Sequence, residues 1–292
     1  MAWTRPLQIG LMLLLASVCA LAAPPAHALD KQIATISNED GVVVATFTDR
    51  ADDAALLAAI PELIAQGVQA VSLRGTPVHD MTPLERLVHL KSLDICGSLV
   101  RSVGPLASIS GLKSINLQFL PVSDLTPLAG LTDLESLNLG GTEVRDLTPL
   151  AKLAHLHELV LAVTKVTDLS PLKNLWQMTT LDLGSTSVSD ISPLAGMIAM
   201  RDLNLNGTLT YDVRPLRNMT ELRTLNLVGT TVRDISPLAQ LRKLETLDLE
   251  GTSVDSVAPL AGSVSLKAIN LGGSKVTDVT PLKNIPGLII RR

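Results

Sequence analysis

Proline occupies positions 83, 105, 127, 149, 171, 193, 215, 237, 259 and 281, an unbroken spacing of 22 residues, and leucine follows every one of them. A period held this long restricts the chain to architectures in which one short unit stacks on copies of itself. A single unit of this length cannot cover its own apolar side chains. A stack can, because each leucine lies against its equivalent in the next unit. Composition agrees with a narrow, layered interior: 46% of the residues are hydrophobic but only 2% are aromatic, so the layers are filled by aliphatic side chains of similar size.

The stretch LNLGGTEVRDLTPLAKL, from Leu137 to Leu153, shows what each part of the unit does. Alternation places Leu137 and Leu139 on the inner face of a short strand and Asn138 on the outer face. Gly140 to Thr142 turn the chain, and Val144 re-enters the interior. Asp146 is placed to accept hydrogen bonds from backbone N–H groups of the next corner. Thr148 before Pro149 predicts a helix N-cap followed by proline at the first helical position. Leu150, Leu153 and Leu156 then share one side of a short helical or 3-10 turn.

Over roughly residues 68 to 290 this pattern resembles the leucine-rich repeats of bacterial internalins, whose unit also ends in Asp, a hydroxyl residue, Pro and Leu, as in Asp190-Ile191-Ser192-Pro193-Leu194. The resemblance implies an α/β solenoid: a leucine-rich repeat horseshoe with a parallel concave β-sheet, short helical or 3-10 convex segments and about ten repeats. One departure stands out. The repeat position where internalins usually carry Asn holds Thr76, Thr142, Thr164, Thr186, Thr208, Thr230 and Thr252, with Ser98 and Ser274. A hydroxyl still donates and accepts but reaches less far than an amide, so a tighter turn is expected there.

The ends depart from the period. Arg5, the apolar run Leu7 to Ala23 and the small residues of Ala26-His27-Ala28 read as a cleaved export signal over residues 1–28. Residues 29–67 read as an N-terminal cap, with a strand in GVVVATFTD preceded by a turn over Asn38 to Gly41. A helix follows, entered through aspartates and left at Gly67. Residues 68–292 form the repeat domain, which ends in a strand from Leu288 guarded by Arg291 and Arg292. No later segment is apolar enough to span a membrane. The expected location is therefore the periplasm or the cell exterior.

No catalytic, metal-binding or cofactor-binding residues are assigned. Asp80, Asp124, Asp146, Asp168, Asp190, Asp212, Asp234 and Asp278 share one repeat position, whereas a catalytic constellation would break the repeat. His79, His89, His155 and His157 are scattered and lack a third ligand. The net charge of −4 argues against a nucleic-acid partner. Cys96 is alone once the leader is gone, so no disulfide framework is possible. It reads as a small residue on the concave face.

The outward strand positions line that face, and nine of their residues are candidates for binding: Arg74, Asp94, Asn116, Asn138, Asp182, Asn204, Asn226, Asp248 and Asn270. The strip is small, polar and mildly acidic. Of the residue types that dominate protein-binding hot spots it has only Arg74. Two readings stay open: a hydrated row hydrogen-bonded along the stack, or a site for a protein, a basic peptide or a glycan. Interrupted repeats offer further candidates in Phe119 and Tyr211. Thr210 stands where valine usually enters the core, and Trp176 is expected to be exposed on the convex side. The expected function is that of an exported, non-enzymatic, monomeric recognition protein; the alternative is a structural spacer or assembly scaffold of the cell envelope.

Overall fold

The computed structural model describes residues 32–292. The expected leader lies outside the described residues. A hairpin of β1 (Ala34–Glu39) and β2 (Val42–Phe47) opens the chain, and the helix α1 (Asp53–Ala65) follows. Eleven strands of three residues each come next: β3 (Ala70–Ser72), β4 (Ser92–Asp94), β5 (Ser114–Asn116), β6 (Ser136–Asn138), β7 (Glu158–Val160), β8 (Thr180–Asp182), β9 (Asp202–Asn204), β10 (Thr224–Asn226), β11 (Thr246–Asp248), β12 (Ala268–Asn270) and β13 (Ile289–Arg291). All thirteen form one sheet in sequence order, and every pairing after the β1–β2 hairpin is parallel. This is an open leucine-rich repeat solenoid, with 3-10 turns on the convex side.

Three residues make a poor strand alone. The register compensates by setting like on like, as where Leu225 lies beside Leu203 on one side and Leu247 on the other. The ladder also runs past each strand: Leu73 N–H bonds Asp94 O at 2.7 Å and Gly75 N–H bonds Cys96 O at 2.9 Å. Leu137, Leu139, Val144, Leu150, Leu153 and Leu156 are all essentially inaccessible and belong to one continuous core. The alternation and the 3-10 leucine spacing thus mark the inward face as the sequence predicts.

Two corners close each coil. On leaving the strand, the N–H of the repeat threonine bonds the carbonyl of the strand's second leucine, as in Thr142 to Leu139 at 3.2 Å. The third residue of this turn needs positive φ, which suits glycine: Gly75, Gly97, Gly141, Gly207, Gly229, Gly251 and Gly273 all lie between 63° and 70°. The threonine hydroxyl donates to the same carbonyl, at 2.6 Å in Thr142 and 2.7 Å in Thr186. A hydroxyl therefore closes its own turn instead of bridging to the next coil, which is what its shorter reach allows.

The second corner corrects one expectation. Thr148 is not an N-cap. It is the first residue of the 3-10 turn Thr148–Leu150, and Leu147 before it makes no side-chain cap. The cap comes from Asp146, whose Oδ1 accepts Thr148 N–H at 2.8 Å. Asp80, Asp124, Asp168, Asp190, Asp212, Asp234 and Asp278 make the same bond at 2.8 to 2.9 Å. Where the hydroxyl is placed, it donates back to the carboxylate, as Ser192 does to Asp190 at 3.0 Å.

At the N-terminal end the turn before β2 is as expected, with Asp40 and Gly41 both at positive φ and Asn38 Oδ1 accepting Gly41 N–H at 3.0 Å. β1 is an additional strand, held to β2 along its whole length. Asp52 caps α1 by accepting Ala55 N–H at 2.9 Å, and Leu56, Ala59, Ile60 and Leu63 join the same continuous core.

Candidate functional site

The outward residues of β3 to β12 form a continuous row across the concave sheet. Their side chains are not free. Asp94, Asn116, Asn138, Asp182, Asn204, Asn226, Asp248 and Asn270 each use Oδ1 to accept the backbone N–H two residues on, at 2.8 to 3.1 Å. That N–H lies where the chain bends out of the strand, and the side chain supplies the acceptor that the neighbouring strand does not. Bonds along the stack add to this: Asn204 Nδ2 donates to Asp182 Oδ1 at 2.8 Å, and Asn270 Nδ2 to Glu250 Oε2 at 2.8 Å. Arg74 sits 3.5 Å from the Asp94 carboxylate. Asp94 and Asn270 are buried and the rest of this Asx row is half-buried.

Burial changes the chemistry of the carboxylates. Desolvation pushes Asp182 and Asp248 above the usual carboxylate range, although backbone and asparagine N–H groups pull the other way. Glu158, beside the row on β7, is raised for the same reason. Across the outward positions stand Asp94, Glu158, Asp182, Asp202, Asp248 and Glu250, against which the strip from residue 72 to residue 272 sets one cation, Arg74. The face is acidic.

Cys96 is buried, with its thiol 3.8 Å from Gln118 Oε1. Burial is also the main effect on its titration and pushes the thiol up, against the pull of Arg74. A thiol held protonated is a poor nucleophile. Cys96 as a small residue at the strand end fits this environment.

Interruptions of the repeat are more informative. Phe119, Val163 and Ser185 occupy the turn position held elsewhere by glycine, and all three keep its backbone, at φ of 64°, 59° and 57°. The ring of Phe119 lies over Gly141, where a Cβ would sit 2.6 Å from the ring carbon Cδ1. Phe119 and Val163 are 64% and 63% exposed, so neither gains burial in return for its strain. Sequence reading finds Phe119 but misses Val163 and Ser185; the signal was the break in the glycine column. On the same coil as Val163, Val160 replaces the Asx residue, so no side chain caps the N–H of Ala162. Trp176 is exposed as expected and Tyr211 is exposed as well, while Thr210 is buried and takes a hydrogen bond from Thr208 at 3.0 Å.

With this geometry described, known proteins can be set beside it. Residues 154–196 match the family model described as leucine rich repeats, two copies. An internalin (inlF) of Listeria monocytogenes superposes with a TM-score of 0.77 at 26% identity, over 84% of this chain and 72% of that one. The chain has the leucine-rich repeat fold of the internalin type. The functional domain of InlJ from the same organism shares the fold with a TM-score of 0.60 at 18% identity, covering 80% of this chain and 54% of that one. So does the plant peptide hormone receptor RGFR1 in complex with RGF2, with a TM-score of 0.61 at 15% identity, covering 76% of this chain and 40% of the receptor. A search of curated proteins gave no significant match. In this internalin-type chain no helix among the described residues is long and apolar enough to cross a membrane.

Proposed function

We propose that this internalin-type protein is exported and acts without catalysis, recognising a protein or peptide through the concave face of its solenoid. The observation that carries the reading is the charge of that face: six carboxylates on the outward positions from residue 72 to residue 272, with Arg74 the one cation in that stretch and already beside Asp94. An acidic strip on a rigid sheet favours a basic segment by steering its approach and fixing its register. The use of this fold by RGFR1, in complex with RGF2, supports the same reading. Export rests on the sequence of residues 1–28, and the periplasm or cell exterior follows from it.

The test is a crosslinking and pull-down screen of envelope and host-surface fractions with the full chain and with Thr224→Arg. Thr224 stands outward on β10 and is half-buried; unlike Asn204, it caps no backbone group, so the added charge probes binding without unpicking a turn. A partner retained by the wild type and lost by Thr224→Arg supports the reading. Absence of any specific partner would remove it.

One observation favours a second reading, that of a structural spacer or assembly scaffold. Every Asx side chain in the row already has a structural bond, so the row needs no ligand to account for it. On that reading Thr224→Arg leaves the cellular phenotype unchanged, while substitutions at the exposed ends of the sheet alter assembly.

A further inference from the structure

The apolar side chains along one border of the sheet do not belong to the polar row. Leu99, Phe119 and Val163 are 48%, 64% and 63% exposed. Phe119 and Val163 occupy the same turn position two coils apart, about 10 Å at the usual strand spacing, and the Phe119 ring fills the step between them by lying over Gly141. The ring thus extends the apolar surface over the intervening coil towards Val163. This surface costs stability, because an L-residue at positive φ is disfavoured, and β-branched valine fits there worst. A glycine would serve the turn better at both sites, as it does at seven other coils.

Inward from this border the surface changes in the same coils. Val160 interrupts the Asx row, with the small residues Gly140 and Ala162 beside it, while the space over Gly184 is taken by the Asn206 side chain. Asp182 stands next to Val160 in the row itself, and Glu158 and Asp202 stand beyond it on the far flank of the strands. None of the three is in an ion pair with lysine or arginine: Glu158 accepts from Ser136 at 3.3 Å, and Asp182 accepts from Gly184 and Asn204, both at 2.8 Å. An apolar border, a low neutral floor and an acidic far side thus cross the sheet together over β5 to β9.

We propose that this transverse band is a docking surface for an extended peptide segment that places an apolar side chain on Phe119 and Val163 and a lysine or arginine against Glu158, Asp182 and Asp202. Charge complementarity selects the occupant: three carboxylates without a cationic partner receive a basic side chain, and the backbone N–H of Ala162, uncapped by Val160, is free to meet a peptide carbonyl. A glycan satisfies neither the cationic requirement nor an aliphatic strip of this kind. The proposal rests on the recognition function above and names its ligand.

A displayed library of random linear peptides, panned on the full chain, tests it. Enriched peptides should pair an apolar residue with a nearby lysine or arginine. The decisive variants are Val163→Gly and Phe119→Gly, which remove the apolar surface while giving the turn the residue it prefers. Each should weaken the enriched peptides by about tenfold or more, the loss expected for a hot-spot anchor, with a melting temperature equal to or above that of the wild type. Asp202→Asn should weaken binding and flatten its salt dependence, and Tyr211→Ala, exposed at the far corner of the β9 coil beside Asp212, should change nothing. Peptides that bind Val163→Gly and Phe119→Gly as well as they bind the wild type overturn the band but leave peptide recognition standing. Failure to enrich any peptide, or binding to a glycan array in its place, overturns the band and the peptide reading together.

Discussion

Asp146 and Asp182 do the same mechanical work in opposite surroundings. Each accepts the backbone N–H two residues on at 2.8 Å, and each closes a bend where the chain leaves regular structure. Asp146 stands in water at the convex corner, and bonds from Thr148 hold its carboxyl below the ordinary range. Asp182 is enclosed on the sheet, and desolvation holds its carboxyl above it. One hydrogen bond, repeated down both sides of the solenoid, is electrostatically favourable on the outside and opposed by burial on the inside. Asparagine fits this difference: it caps five of the sheet positions with no charge to desolvate, whereas the convex corner uses aspartate at eight.

Both bends hang on the leucines beneath them. Leu139 is fully buried and its carbonyl receives the hydroxyl of Thr142. Leu139→Ala should therefore cost about 2 to 5 kcal/mol, the range for a large-to-small change in a packed core, as read by denaturant unfolding. Asn138→Ala is expected to cost about 0.5 to 1.5 kcal/mol, the worth of one hydrogen bond, because Gly140 N–H loses its acceptor. A cost near zero would mean that water replaces the cap and that the row is free to serve a ligand. Equal costs for the two variants would overturn the assignment of inner and outer faces.

The spacing of proline and leucine makes the solenoid and its core legible, since inward positions follow from the period alone. Depth on the outer face does not. Whether Asn204 stands in solvent depends on its neighbours, and the bare backbone of Gly184 lets Asn206 lie across the space where a side chain would be. The direction of the threonine hydroxyl was hidden for a similar reason, as the same residue type suits a bond within its coil or between coils. Backbone strain was visible only indirectly: Val163 and Ser185 look like ordinary drift until their φ angles show that the turn did not relax around them. β1 was missed because ATISNE reads as a weak strand, and it forms by pairing with the apolar β2.

Asp182→Asn isolates the inner half of the comparison. The amide keeps an oxygen for Gly184 and sheds the charge that burial opposes. Because the folded pKa is raised, this carboxyl favours the fold below its unfolded value, near 3.8, and loses that contribution as pH rises through the folded value. The variant should accordingly be more stable than the wild type at pH 7, and the gap should close on acidification. A variant less stable at pH 7 would show that the bond from Asn204 to Asp182 outweighs desolvation.

Asp146→Ala isolates the outer half, and its effect should be the smallest, since the corner is open to water and seven other coils keep theirs. Here the folded pKa is lowered, so the contribution is fully present above the unfolded value, near 3.8, and is lost as pH falls through the folded value. The wild type should exceed the variant at pH 7 and converge on it in acid. Both substitutions thus lose their effect in acid, but from opposite signs: Asp182→Asn begins as a gain and Asp146→Ala as a loss. Thermal melts of the three proteins from pH 7 down to about pH 3, a range that spans the ordinary carboxylate values, read both curves at once. Two curves of the same sign would mean that hydrogen bonding alone sets these carboxyls, and that the buried row is wetter than its packing implies.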